Sequence, residues 1–165
     1  MQIRFEQPDD LAAIRTLTTT AFQNAPHSSH NEAAIIDALR NANALTISLV
    51  AVDEEATIGH IAFSPVTING EPNGWYGLGP ISVRPDRQRS GIGQALIRTG
   101  LNHLRGINAQ GCVVLGEPAY YGRFGFVSDP NLRYGNVPPE YFQRLAFTDA
   151  VPKGEVFYHP GFNAG

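Results

Sequence analysis

Residues Ile3 to Glu6 alternate apolar and polar side chains and predict a first strand. Pro8 and Asp9 then announce a helix, with Asp9 or Asp10 as its cap. Leu11, Ile14, Leu17, Ala21 and Phe22 recur at helical spacing and form its apolar face. The segment QNAPHSSH has loop composition. After it, Asn31 can cap a second helix whose apolar side is Ile35, Ile36 and Leu39. Residues 45–52, rich in branched side chains, and residues 58–66 predict two strands of a hairpin. Asn69-Gly70 is a strong turn signal, and Trp75 to Val83 returns as a central strand. Downstream the pattern predicts a long helix over about residues 92–105 and a strand at Gly111 to Leu115. It then predicts a short helix over about residues 118–123, a strand at 125–128, a short helix opened by Asn136 and a last strand at 154–158.

The most informative stretch is LGPISVRPDRQRSGIG, residues 78–93, with the helix that follows it. Pro85 ends the strand because proline donates no ladder hydrogen bond. A polar turn and two glycines, Gly91 and Gly93, then lead into an apolar helical pattern of Ile92, Leu96, Ile97, Gly100, Leu101 and Leu104. The first N–H groups of a helix lack internal partners, and the helix dipole adds positive potential there. Glycines let a ligand approach the backbone, and Arg87, Gln88 and Arg89 add donors. This order suits an anion, most naturally a phosphate. The plain alternative is a glycine turn that only reverses the chain. A dinucleotide-binding turn would need a third glycine where Leu96 stands, and a P-loop would need a lysine that is absent nearby.

What remains is Gln88-x-x-Gly91-x-Gly93 between a strand and a helix. That pattern resembles the acyl-CoA pyrophosphate loop of the GNAT superfamily of N-acetyltransferases, and the preceding GPISV with RP after it resembles that superfamily's central strand. The resemblance spans nearly the whole chain and is weakest from about residue 130 onward. The stretch GEPAYYGRFGF, residues 116–126, resembles in particular the YhbS-like branch of uncharacterised bacterial acetyltransferases. The resemblance implies an α/β fold of the GNAT type, a central mixed and mostly antiparallel sheet with helices on both faces. It implies acetyl-CoA as co-substrate, held by Ile81, Ser82, Val83, Gln88, Arg89, Ser90, Gly91, Ile92, Gly93 and Gln94. It implies direct attack of an amine acceptor in a ternary complex, with a backbone donor near residues 81–83 for the developing oxyanion. Tyr121, four residues before Gly125-Phe126, takes the place of the tyrosine whose hydroxyl lies near the coenzyme sulfur. Its neighbour Tyr120 would point about 100° away on a helix.

The general base stays open. Glu117 follows the fifth predicted strand of that layout, Glu32 opens the second helix, and His60 sits in a strand facing either cleft or core. A water chain leading to backbone carbonyls serves equally well. A lysine-like amine, with a pKa of about 10.4, must lose a proton before it attacks.

The chain has 165 residues and a net charge of −3, enough for one domain and without electrostatic support for a nucleic-acid partner. We read residues 1–165 as a single domain. The single cysteine, Cys112, lies in the apolar run GCVVLG and excludes both an internal disulfide framework and a cysteine-based zinc site. His27 and His30 have loop spacing without clustered carboxylates, so no metal is expected. Arg87 and Arg123 are candidates for the nucleotide end of the coenzyme, with surface arginine as the default. No apolar leader or bilayer-length stretch is present, which by default places the protein in the cytoplasm without a membrane partner. The acceptor and the oligomeric state, monomer or homodimer, are open, as is acyl binding without turnover.

Overall fold

Alternation in the N-terminal half produces a row of antiparallel strands. In a computed structural model, which describes every residue except position 27, these are β1 (Gln2–Phe5), β2 (Ile47–Asp53), β3 (Ala56–Pro65) and β5 (Trp75–Val83), with a two-residue strand β4 (Thr67–Ile68) between the last two. The sheet continues through β6 (Gly111–Leu115) and β9 (Phe142–Ala146) to the short edge strand β7 (Val127–Ser128), in the order β1-β2-β3-β5-β6-β9-β7. Within this sheet β5 and β6 pair in parallel, and the other neighbours are antiparallel. A second sheet joins β4, β10 (Gly154–Phe157) and β8 (Leu132–Arg133). The helices are α1 (Leu11–Phe22), α2 (Glu32–Asn41), α3 (Ile92–Gly106) and the single turn α4 (Pro118–Tyr121). This is the mixed, mostly antiparallel sheet with helices on both faces that the resemblance implies.

Each face has its own cover. Ile61 and Phe63 of β3 and Leu78 of β5 pack against Leu96, Ile97, Leu101 and Leu104 of α3. Val50 of β2 meets Ile14 of α1 and Ile36 of α2 on the opposite face. Further along that face the small sheet covers Trp75, Val113 and Phe142 of the large one with Ile68, Leu132 and Val156. The register of β3 and β5 shifts at an irregularity: Ile61 pairs with Ile81 but Phe63 with Leu78. The offset returns apolar side chains on both sides of it to the α3 face.

Several expectations shift. Asp10 does not cap α1; its carboxylate turns back to accept from Gln7 N at 2.6 Å and from Arg4. Asn31 precedes α2 but donates its amide to Ala164 O at 2.8 Å instead of capping the helix. The segment after Asn136 forms only a 3-10 turn at Pro139–Tyr141 before entering β9, a strand the local pattern did not suggest. β9 is buried from both sides at its start, where Phe142 and Gln143 are both inside. Such a strand shows no apolar–polar alternation for sequence reading to find.

The close seat of α3 depends on Gly100. A Cβ there would stand 2.2 Å from a ring carbon of Phe63. Alanine is the better helix former by about 1 kcal/mol, but forcing atoms into a filled core costs roughly 1–3 kcal/mol. Gly100→Ala is therefore expected to lower the unfolding free energy by about 1–2 kcal/mol in urea titration; an increase would show that the α3 seat has slack.

Candidate active site

β5 parts from β6 after three residue pairs: Trp75 with Gly111, Tyr76 with Cys112 and Gly77 with Val113. On its other side β5 stays paired with β3 as far as Val83. From Gly79 onward the edge of β5 toward β6 has no strand partner among the described residues, which leaves its backbone groups there open to a ligand. Ile81 and Val83 turn toward the α3 face, while Ser82, opposite His60, turns to the other.

Beyond β5 the chain makes a 3-10 turn at Pro85–Arg87 and enters α3 through two left-handed residues, Arg89 (φ 63°) and Gly91 (φ 87°). Glycine takes that conformation without steric cost. Gln88 Nε2 donates to Val83 O at 3.1 Å and Ser90 Oγ donates to Arg87 O, which ties the loop to the strand end. Ala95 N closes the first helical turn on Gly91 O at 3.0 Å. The N–H groups of Ile92, Gly93 and Gln94 therefore have no acceptor within the helix. Val83, Arg87, Gln88, Arg89, Gly91, Ile92, Gly93 and Gln94 line one cleft of about 250 Å³ with Tyr120. Ser90 is an exposed part of the same loop, and Ile81 and Ser82 lie just before it on β5.

The two adjacent tyrosines of α4 part company. Tyr120 lines the loop cleft, its hydroxyl 3.2 Å from where a Cβ on Gly93 would stand. Arg123 lies over its ring at 4.7 Å. Tyr121 turns inward against Gly116, where a Cβ would come within 2.4 Å of its ring, and meets Tyr120 and Phe126 edge-on. Burial, with smaller effects from Tyr120 and Cys112, pushes the Tyr121 phenol up to about 12, so its proton stays in place at neutral pH.

A family model described as an acetyltransferase (GNAT) domain matches residues 45–128. The uncharacterized N-acetyltransferase YhbS of Escherichia coli K12 is 35% identical over 170 residues, covering 99% of both chains. The chain belongs to the GNAT acetyltransferase family. The crystal structure of a GNAT family acetyltransferase from Brucella melitensis, solved in complex with acetyl-CoA, is 52% identical and superposes with a TM-score of 0.89 over 98% of this chain and 97% of that one. The structure of Escherichia coli YhbS in complex with CoA superposes with a TM-score of 0.90 at 35% identity, over 98% of this chain and 91% of the other.

Within this GNAT fold the remaining candidates fall in separate places. Glu117 precedes α4, where its carbonyl accepts from Tyr120 N and Tyr121 N; its side chain is exposed at the end of β6. Glu32 lines a cleft of about 310 Å³ between α1 and α2 with His30, and accepts from Ser28 Oγ at 2.6 Å. His27 lies outside the described residues, and no group of three metal-ligating side chains occurs among those described. Arg87 is held by Asp53 at 2.8 Å. No described helix is long and apolar enough to cross a membrane.

His60 is fully buried on the α1 and α2 side of β3. Its Nε2 lies 2.7 Å from Ser48 Oγ, which also contacts Glu6 Oε1 at 2.5 Å. Glu6 is clamped by Arg40 through contacts of 2.8 and 2.9 Å. This array was not legible in sequence, because its members come from β1's end, α2, β2 and β3. Burial lowers the His60 pKa to about 4; Glu6 and Asp10 oppose that effect and Arg40 adds to it. The unfolded chain, with a histidine pKa of about 6.5, binds the proton more tightly than the fold does. The stability from a neutral ring is therefore complete above about pH 6.5 and is lost as pH falls toward 4, by about 3 kcal/mol. Urea unfolding between pH 7 and pH 4 should show this loss, and His60→Gln should flatten the curve above pH 4. Equal slopes for both proteins would place the acid sensitivity elsewhere.

Proposed function

We propose that the whole chain acts as one acetyltransferase domain that moves an acetyl group from acetyl-CoA to a primary amine by direct attack. The observation that carries this reading is the left-handed entry to α3, which presents three unbonded N–H groups at the mouth of the β5–β6 gap. The complexes of the Brucella and Escherichia coli relatives with acetyl-CoA and CoA support it. Gln88, Arg89, Ser90, Gly91, Ile92, Gly93 and Gln94 surround the pyrophosphate in this proposal, and the free edge of β5 at Ile81, Ser82 and Val83 binds the pantetheine and the thioester oxygen. A backbone N–H aimed at that oxygen stabilises the charge it gains in the tetrahedral state. Holding amine and thioester in one narrow gap supplies much of the remaining rate.

Cys112 is not a covalent carrier in this mechanism. Complete burial pushes its thiol well above the ordinary range, so little thiolate forms. Tyr121 assists the leaving sulfur. With a pKa of about 12 its phenol is a weaker acid than the thiol it would form, whose pKa is about 8.5. Its contribution is therefore a hydrogen bond to the sulfur as the C–S bond breaks, with the final proton reaching the thiolate from water. The proton lost by the amine has two candidate acceptors: Glu117 at the exposed mouth, or the buried array around His60.

Calorimetric titration with acetyl-CoA is expected to give a micromolar dissociation constant, about −8 kcal/mol. Gly91→Val, which forces a side chain into a left-handed position, should raise that constant at least tenfold while the protein still melts cooperatively. Unchanged affinity would remove the loop from coenzyme binding.

In a screen of amines for thiol release, Tyr121→Phe should keep acetyl-CoA affinity and lower turnover by about 10²-fold. Turnover within twofold of the parent would remove the hydroxyl from the chemistry. Coenzyme binding without thiol release from any amine would favour a non-catalytic acyl-CoA-binding domain.

A further inference from the structure

Four buried side-chain atoms have no hydrogen-bond partner among the described residues: His60 Nδ1, Ser64 Oγ, Ser82 Oγ and Tyr158 Oη. Folded proteins rarely leave such atoms unpaired, and a cluster of them marks a place where water or a ligand belongs. All four are on one face of the sheet. His60 and Ser64 alternate with Ile61 and Phe63, whose side chains go to α3. Ser82 stands opposite His60 on β5. The Tyr158 ring lies against Gly77 on the same face, beside Val66. This is the face away from α3, between the N-terminal helices and the small C-terminal sheet.

Two of these atoms begin a continuous row. Ser82 on β5 stands opposite His60 on β3, Ser48 on β2 lies diagonally from His60, whose direct partner there is Val50, and Glu6 follows β1. The row starts in the stretch that flanks the β5–β6 gap. It ends in a surface cleft of about 290 Å³ lined by Glu6, Arg40, Asn43 and Ser48.

The direction of the hydrogen bonds follows from stoichiometry. Burial alone would raise the Glu6 pKa, but its bonds to Arg40 and Ser48 outweigh it and hold the carboxyl below its ordinary value. As a carboxylate Glu6 only accepts, so the Ser48 hydroxyl points its proton at Glu6. Ser48 Oγ must then accept from His60 Nε2–H. That leaves Nδ1 as a bare acceptor without a partner among the described residues. The His60 and Ser48 donors both point toward Glu6. His60 and Ser82 face each other across paired strands without a direct bond, and a water bridging them would satisfy His60 Nδ1 and the Ser82 hydroxyl together.

We propose that Ser82, His60, Ser48 and Glu6 form a proton path that carries the acceptor amine's proton across the sheet to the Glu6–Arg40 cleft. This rests on the acetyltransferase reading given above. As the ammonium N–H bond breaks, its electron pair stays on nitrogen, and the proton passes through the water at Ser82 to form Nδ1–H on His60. The Nε2 proton moves to Ser48 Oγ, and the Ser48 proton moves to Glu6 Oε1. Glu6, a weak proton holder beside Arg40, releases it to solvent. Once product has left and the acceptor side is open to water, the same transfers in reverse restore the Nε2–H ring. The charged groups that act on His60 are Glu6 after β1, Asp10 from the turn before α1, itself paired with Arg4 of β1, and Arg40 from α2. Ser48 and Ser82 are its neutral neighbours on the flanking strands.

The test has two arms. In nitrogen-15 NMR of histidine-labelled protein at pH 7, with the His60 signals identified by their loss in His60→Gln, the ring should be neutral with its proton on Nε2. A proton on Nδ1, or a charged ring, overturns the path whatever the acceptor is. In thiol-release assays with acetyl-CoA and the best amine of the screen, Glu6→Gln and Ser48→Ala should each lower kcat at least tenfold at pH 7, with KM for acetyl-CoA unchanged. The loss should shrink as pH rises toward about 10, where an alkylamine arrives already deprotonated. A loss independent of pH marks a structural role only and overturns the proposal, as does no loss. A pH-dependent loss in Glu117→Gln alone would give the proton to Glu117 and overturn it as well. No thiol release by the parent protein with any amine would instead refute amine acetylation, and the NMR arm would still decide the orientation of the row.

Discussion

The structure depends on a parallel strand pair that stops after three residues. β5 is paired with β3 from Tyr76 to Val83 except at Gly79 and Pro80, but β6 accompanies it only from Trp75 to Gly77. A sheet normally satisfies both edges of an interior strand, because unpaired backbone groups are costly away from water. Here one edge of an interior strand is left open, and the neighbouring elements are arranged around that opening. α3 begins beside it with unbonded N–H groups, α4 places Tyr120 and Tyr121 next to it, and Cys112 and Val113 form the closed end.

Two faces of the same strand do different work. On the α3 face, Ile81 and Val83 join the main apolar core and carry the backbone that lines the gap. On the other face, Ser82 begins a polar row that runs through His60 and Ser48 to Glu6. The strand alternation that sends one residue to each side thus places apolar side chains on one face and a buried hydroxyl on the other within three consecutive residues. The row survives in the interior because Arg40 balances the Glu6 charge and because burial keeps His60 neutral.

The tyrosine pair shows how small a rotation separates roles. Tyr120 stands at the loop cleft under the Arg123 guanidinium, whereas Tyr121 fills space that only a glycine at position 116 leaves open. Its burial makes the phenol a persistent donor and a poor acid. That chemistry suits stabilisation of a departing sulfur better than delivery of a proton to it.

Much of this was legible in the chain itself. The strand at Trp75–Val83, the helix from Ile92 and the strand at Gly111–Leu115 follow from local periodicity and punctuation, and the structure has them within a residue or so. The glycine loop was equally readable, since Gly91's left-handed conformation and the helix start beside it are properties of a short segment. Other features were decided by partners far away in sequence. β9 was hidden because both its faces are buried at Phe142 and Gln143, which erases alternation. Asp10 and Asn31 have the chemistry of helix caps, yet Arg4 and the C-terminal segment claim their side chains. The Ser82–His60–Ser48–Glu6 row is the clearest case. Each residue is an ordinary polar interruption in its own strand, and only the register of four strands brings them into line. Local periodicity determines which segments become strands and helices; which polar side chains meet in the interior is set by long-range register, which one segment alone does not encode.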